Sequence, residues 1–133
     1  MSIVVLVRLT ALTIALAGGS TGSIAQQMVT SGSDSMDELV AEGLAVYRKH
    51  CARCHGMKGE GQRNNHDAAP RLGGNFARLS VAEVTVQIIQ GGAYMPPVRA
   101  LTDREIASVA TYVRNSFGND LGMVTVEDIA ANR

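Results

Sequence analysis

Two thiols and an imidazole stand together in Cys51-Ala52-Arg53-Cys54-His55, and no other stretch of the 133-residue chain concentrates as much reactive chemistry. Side chains at i and i+3 lie on one side of a helical turn, so both thiols can add to the two vinyl groups on one edge of a porphyrin. The imidazole next in sequence then comes beneath the ring with a nitrogen at the iron. C-x-x-C-H is, in these terms, the pattern of covalent haem attachment. Three other chemistries compete. A redox dithiol belongs to a strand-helix-strand setting and has no use for the histidine. A structural zinc ion wants four ligands, and beside the two cysteines the chain offers only His50, His55 and His66; the tight Cys-Cys-His run makes that cage awkward. A bare disulfide across two intervening residues closes too small a loop to staple a fold.

The elements that position this group belong to one domain. A chain of this length, with 46% hydrophobic and 18% charged residues, holds one compact domain and is short for two. Twelve Lys plus Arg balance twelve Asp plus Glu, which argues against the basic field of a nucleic-acid or anionic-membrane binder. Trp is absent and aromatic residues make up 4% of the chain. The core therefore needs either aliphatic filling or a bulky apolar body that the sequence does not encode, and a haem is such a body.

Residues 1–25 read as an export signal: Arg8 precedes the apolar run from Leu9 to Ala17, and Ser23-Ile24-Ala25 offers the small residues of a cleavage site. That run is far shorter than the roughly 20 residues of a spanning helix, so no stable membrane insertion is expected after cleavage. Residues 26–35 are polar and Gly/Ser-rich and read as a flexible leader, with the folded domain at 36–133. Export agrees with the thiol chemistry, because covalent haem attachment is carried out in an oxidising compartment; the expected location is the periplasm.

Three pairs, Ser35/Glu38, Ser80/Glu83 and Thr102/Glu105, have the capping-box spacing at the mouth of an apolar-periodic run. They predict helices from about Met36 to Lys49, from Val81 to Gln90 closed by Gly91, and from Asp103 to about Ser116. The first presents Leu39, Gly43, Leu44, Val46 and Tyr47 on one side; the third puts Ile106, Val109, Ala110 and Val113 on one stripe. A short turn starts at Thr125 and runs through Ile129. No segment alternates with a period of two, so the predicted fold is all-α. The irregular stretch from Cys51 to Leu79 needs a functional or covalent reason to be ordered, and the motif at its start supplies one.

These segments together resemble the small class I c-type cytochromes: CARCHGMKGEGQ at Cys51–Gln62, Ala-Pro-Arg-Leu at Ala69–Leu72, Gly-Gly-Ala-Tyr-Met-Pro-Pro at Gly91–Pro97, and the closing helix at Leu101–Asn119. The closing part is most similar to cytochrome domains found with periplasmic quinoprotein dehydrogenases. The resemblance implies a cytochrome c fold, three to four helices around one covalently attached haem c, with Cys51 and Cys54 bonded to it and His55 on the iron. It places the distal ligand at Met95. Reach agrees: Met57 is too close to His55 to cross to the other face, Met28 lies in the leader, and Met36 and Met123 have helix-start and tail contexts. Pro96-Pro97 stiffen the loop after Met95. His66 is the leading rival.

The resemblance also puts Pro70 where a carbonyl accepts the other imidazole proton of His55, and Leu72 against the haem. Tyr94, Arg99 and Asn75 are open alternatives for the haem propionates, since the family's usual propionate-bonding Trp is missing. Gly43 and Tyr47 match the positions where the first helix crosses the last near Val109 and Tyr112. With both axial positions filled, the expected function is one-electron transfer, from a periplasmic dehydrogenase as donor to an oxidase or another cytochrome as acceptor, and not catalysis on this chain. A five-coordinate haem sensor or peroxidase-like protein is the alternative.

Overall fold

A computed structural model describes residues 34–63, 68–74, 78–92 and 94–133. The expected export signal, most of the expected leader, His66 and Asn75 lie outside the described residues. Among the described residues five helices follow in chain order: α1 Met36–His50, α2 Ala52–His55, α3 Val81–Gln90, α4 Asp103–Arg114 and α5 Val126–Ala130. Two-residue strands, β1 Gln62–Arg63 and β2 Ala68–Ala69, pair antiparallel with Gln62 opposite Ala69. So short a ladder has no room for an alternating pattern, which is why the sequence does not announce it, and the fold is all-α.

Helix ends follow side-chain chemistry. Ser80/Glu83 and Thr102/Glu105 form full reciprocal capping boxes. So does Thr125/Asp128, which opens α5 at the short turn expected from Thr125. At α1 only half of the expected box forms: Ser35 Oγ accepts from the Glu38 N–H at 3.2 Å, while the Glu38 carboxylate turns to Arg104 Nη2 at 2.9 Å. Arg104 also holds Asp34 and Glu42. Asp34 and Ser35, assigned to the leader from sequence, thus contact the helical domain.

Helix α4 is the hub, touching α1, α3 and α5. Its apolar stripe is wider than expected, because Ile106 through Thr111 are all buried. The crossing with α1 is close at Gly43: a Cβ there would overlap the Ser108 carbonyl and stand 2.6 Å from Tyr112 Cβ. Ser108, one residue before the expected Val109, therefore sets the contact. Tyr47, Tyr112 and Phe117 form a triad with ring centroids 5.3, 5.4 and 5.6 Å apart, each pair within the range of favourable tilted packing. Phe117 reaches it with φ 59°, a left-handed conformation costly for a bulky residue. The segment after α4 is tied back by Thr111, whose Oγ1 accepts from Val124 N–H at 2.9 Å, and by Asn115, whose Oδ1 accepts from Gly122 N–H at 3.1 Å.

Candidate haem-binding site

The candidate site begins where α1 ends. Cys51 caps α1 and its N–H still donates to the Tyr47 carbonyl at 2.8 Å, while His55 N–H donates to the Cys51 carbonyl at 2.9 Å. One continuous right-handed path therefore runs from the buried Tyr47 through Cys51, Cys54 and His55. Gly56 stops it with φ 78°, a conformation glycine adopts without strain. Tyr47 Oη donates to the Gly56 carbonyl at 2.6 Å, fixing the turn to the aromatic triad. Burial of this phenol, ahead of charge contributions from Cys51, Tyr112 and Glu60, pushes its ionisation far above the usual tyrosine range.

His55 is buried, and its Nδ1 lies 3.0 Å from the Pro70 carbonyl. A carbonyl can only accept, so Nδ1 carries the proton and Nε2 presents its lone pair. This contact spans 15 residues and depends on how the intervening loop is pinned. Gly61 N–H donates to the His55 carbonyl at 2.8 Å, and Leu72 N–H to the Gly59 carbonyl at 2.8 Å. Gly59 and Gly73 lie against Phe117, where a Cβ would come within 2.7 Å of the ring and 2.6 Å of the backbone carbonyl respectively. From the other side, Asn119 Nδ2 donates to the Leu72 carbonyl at 3.0 Å, and Arg114 Nη1 to the Leu79 carbonyl at 2.7 Å. Leu72 itself is half-buried against the core.

Met95 lies on a separate loop and is half-buried. That loop folds back on the end of α3: Gly92 N–H donates to the Met95 carbonyl at 2.8 Å, and Val98 N–H to the Ile88 carbonyl at 3.0 Å. Gly91 has φ 75°, and a Cβ on it would collide with the Met95 carbonyl. The sulfur accepts from Gln87 Nε2 at 3.6 Å. Sequence reasoning missed Gln87; it stands one turn before the helix-closing Gly91, but nothing in its spacing marks it. Tyr94 and Arg99, the two described candidates for the propionates, are exposed, Tyr94 at 76%.

The residues fit a covalently held haem on several counts. Cys51 and Cys54 are not bonded to each other. Burial of Cys51, with the neighbouring Cys54 adding to it, pushes the Cys51 thiol up to about 11. That does not suit a reactive dithiol, whereas a thioether has no proton to lose and tolerates an apolar setting. Among the described residues no three of His, Cys, Asp and Glu converge as a metal cage. The His55 tautomer leaves Nε2 for iron. Val81, Val84, Ile88, Ile89 and Val98 are only partly buried against the core, an apolar surface that a porphyrin can cover.

Comparison with known proteins agrees. The chain is 29% identical over 113 residues to the fructose dehydrogenase cytochrome subunit of Gluconobacter japonicus, an alignment covering 73% of this chain and 23% of that protein. The chain thus spans under a quarter of the length of that curated relative. A family model described as cytochrome c oxidase, cbb3-type, subunit III matches residues 38–113. The match takes in nearly all of α1, the attachment turn, the loop bearing Pro70, α3 and most of α4, and through it the chain belongs to this family of c-type cytochromes, whose haem iron serves electron transport.

Proposed function

We propose that the chain carries a single haem, joined covalently through Cys51 and Cys54, with His55 and Met95 as axial ligands and Leu72 packed on it. In this reading it passes single electrons from a periplasmic dehydrogenase to an oxidase or another cytochrome, as a free carrier or as a cytochrome subunit. The bound haem supplies reversible exchange between ferric and ferrous iron. The protein's part is to hold and tune. Cys51 and Cys54 would fix the edge of the ring, and His55 would offer Nε2 because Nδ1 is engaged by the Pro70 carbonyl, which also orients the imidazole. Met95 adds a soft thioether, which favours ferrous iron and raises the potential. With His55 and Met95 both holding the iron, no position would be left for substrate, and the chemistry would be transfer and not catalysis.

The observation that carries this reading is the 3.0 Å contact between His55 Nδ1 and the Pro70 carbonyl, since it fixes one tautomer beside two unbridged thiols. A dehydrogenase as donor is supported by the dehydrogenase cytochrome subunit to which the chain is similar. The periplasm is supported by the signal-like pattern of residues 1–25; no helix among the described residues is long and apolar enough to cross a membrane.

The test is spectroscopic. Ferric protein should be low-spin with the weak near-infrared sulfur-to-iron band, and the reduced form should bind carbon monoxide slowly. Met95→Ala should abolish the band, open a position for carbon monoxide and lower the potential, whereas Met57→Ala and Met123→Ala should do none of this. Rapid carbon monoxide binding by the wild type, with a spectrum unaffected by Met95→Ala, would overturn the carrier reading in favour of a five-coordinate sensor, and His66 would be the next residue to replace.

A further inference from the structure

We infer that Gln87 is a positioning residue for Met95, holding the thioether and drawing electron density from it, so that the redox balance of the iron is set in part from α3. The inference rests on Met95 as axial ligand. Gln87 is half-buried in the last turn of α3, and its Nε2 donates to Met95 Sδ at 3.6 Å, a normal separation for a sulfur acceptor. Sulfur is a weak acceptor, so an amide does not settle on it by preference. Three features of the loop hold the two together.

First, Gly92 N–H donates to the Met95 carbonyl at 2.8 Å, closing a tight turn that brings the side chain back over the helix end. Second, Gly91 has the positive φ this turn needs and lacks the Cβ that would strike the Met95 carbonyl. Third, a Cβ on Gly92 would stand 2.7 Å from Gln87 Nε2, so the second glycine leaves the room in which the amide reaches sulfur. Gly91 and Gly92 thus make room for the amide as well as for the methionine.

The chemical consequence has a definite sign. A thioether sulfur has two lone pairs. With one engaged by the Gln87 N–H, the other is left to donate, which fixes the orientation of the methionine. The hydrogen bond also makes sulfur a poorer donor. Ferric iron, the harder acid, gains more from donation than ferrous iron does, so weakening donation favours the ferrous state.

Gln87→Leu keeps the bulk and removes the donor. In holoprotein equilibrated with a fixed mediator couple, the ferrous-to-ferric ratio should fall by no more than about tenfold, a ceiling set by one net hydrogen bond, since the shift is the difference in that bond between the two oxidation states. The near-infrared band should persist but move. Gly92→Ala reaches the same contact from outside: its methyl displaces the amide, its backbone does not need a positive φ, and it should shift the ratio in the same direction. The double variant should fall no further than the larger single change, as expected for substitutions that break one interaction. Should Gln87→Leu fail to mature, Gly92→Ala carries the test alone. An unchanged ratio and band in the variants, in a protein where Met95→Ala abolishes the band, overturns the role of Gln87 and leaves the ligand standing. A spectrum indifferent to Met95→Ala removes the ligand itself.

Discussion

The crossing of α1 with α4 and the stretch from Cys51 to Arg99 solve the same problem, burying apolar surface, in opposite ways. In the crossing the protein's own atoms complete the packing: Gly43 admits the Ser108 backbone, Tyr47 is covered by Tyr112 and Phe117, and Arg104 gathers three carboxylates. In the second region the aliphatic side chains of Leu72, Val84, Ile88, Ile89 and Val98 remain half-buried. Order there comes from a few backbone contacts and from ties into the first region through Asn119, Arg114 and Phe117. The first region is complete as a polypeptide; in the proposed reading the second is completed by haem. A chain without Trp is adequate for the first task only.

The comparison breaks most visibly if the cofactor is withheld. The double variant Cys51→Ala, Cys54→Ala should lose haem to acid-acetone extraction and show no added haem mass. Amide hydrogen exchange between Leu72 and Val98 should rise by orders of magnitude, while amides of Ile106–Thr111 stay comparatively protected. Uniform loss of protection would show that the crossing has no independent order, and a wild-type haem that is itself extractable would disprove the covalent attachment.

A smaller loss tests the crossing from its own side. Ala is a better helix former than Gly by about 1 kcal/mol, yet Gly43→Ala should destabilise the holoprotein by about 2–3 kcal/mol, because the added methyl meets the Ser108 carbonyl, which is backbone and cannot rotate away. Thermal melts decide it; a neutral or stabilised variant would mean the helices slide apart at little cost.

The smallest effect lies at the bond that joins the two regions. Tyr47→Phe removes the donor to the Gly56 carbonyl and should cost about 1–2 kcal/mol. It should also change the alkaline limb. Burial raises the ionisation of Tyr47 in the folded state above its unfolded value near 10. Between those two values the unfolded chain has released a proton that the folded chain retains, so stability falls as pH rises from about 10. Denaturant titrations across that range should show a steeper decline in the wild type than in Tyr47→Phe; parallel declines would place the phenol in water.

How much of this is legible in the sequence depends on the range of the interaction. The attachment motif is legible because covalent chemistry fixes its spacing. Helix α3 is legible to the residue because Ser80, Glu83 and Gly91 mark its ends within one turn. The pairing of His55 with Pro70 came from family resemblance, and no periodicity pointed to it. Phe117 is the clearest omission: a left-handed aromatic three residues beyond α4 is stabilised by Tyr47, seventy positions away, and nothing adjacent signals it. The half-formed box at Ser35 fails for the same reason, since Glu38 is drawn off by Arg104, distant in sequence and near in space.

Helix α1 has a mechanical consequence as well. Its fifteen residues span about 22 Å at 1.5 Å per residue, with Asp34 and Ser35 secured at one end and Cys51 at the other. A pull applied through the chain preceding Asp34 is received first by the Asp34–Arg104 pair, a full helix length from the thiol pair, and then by the α1–α4 contact at Gly43. Tension on that side loads the stiff half of the molecule and leaves the loops bearing Pro70 and Met95 slack.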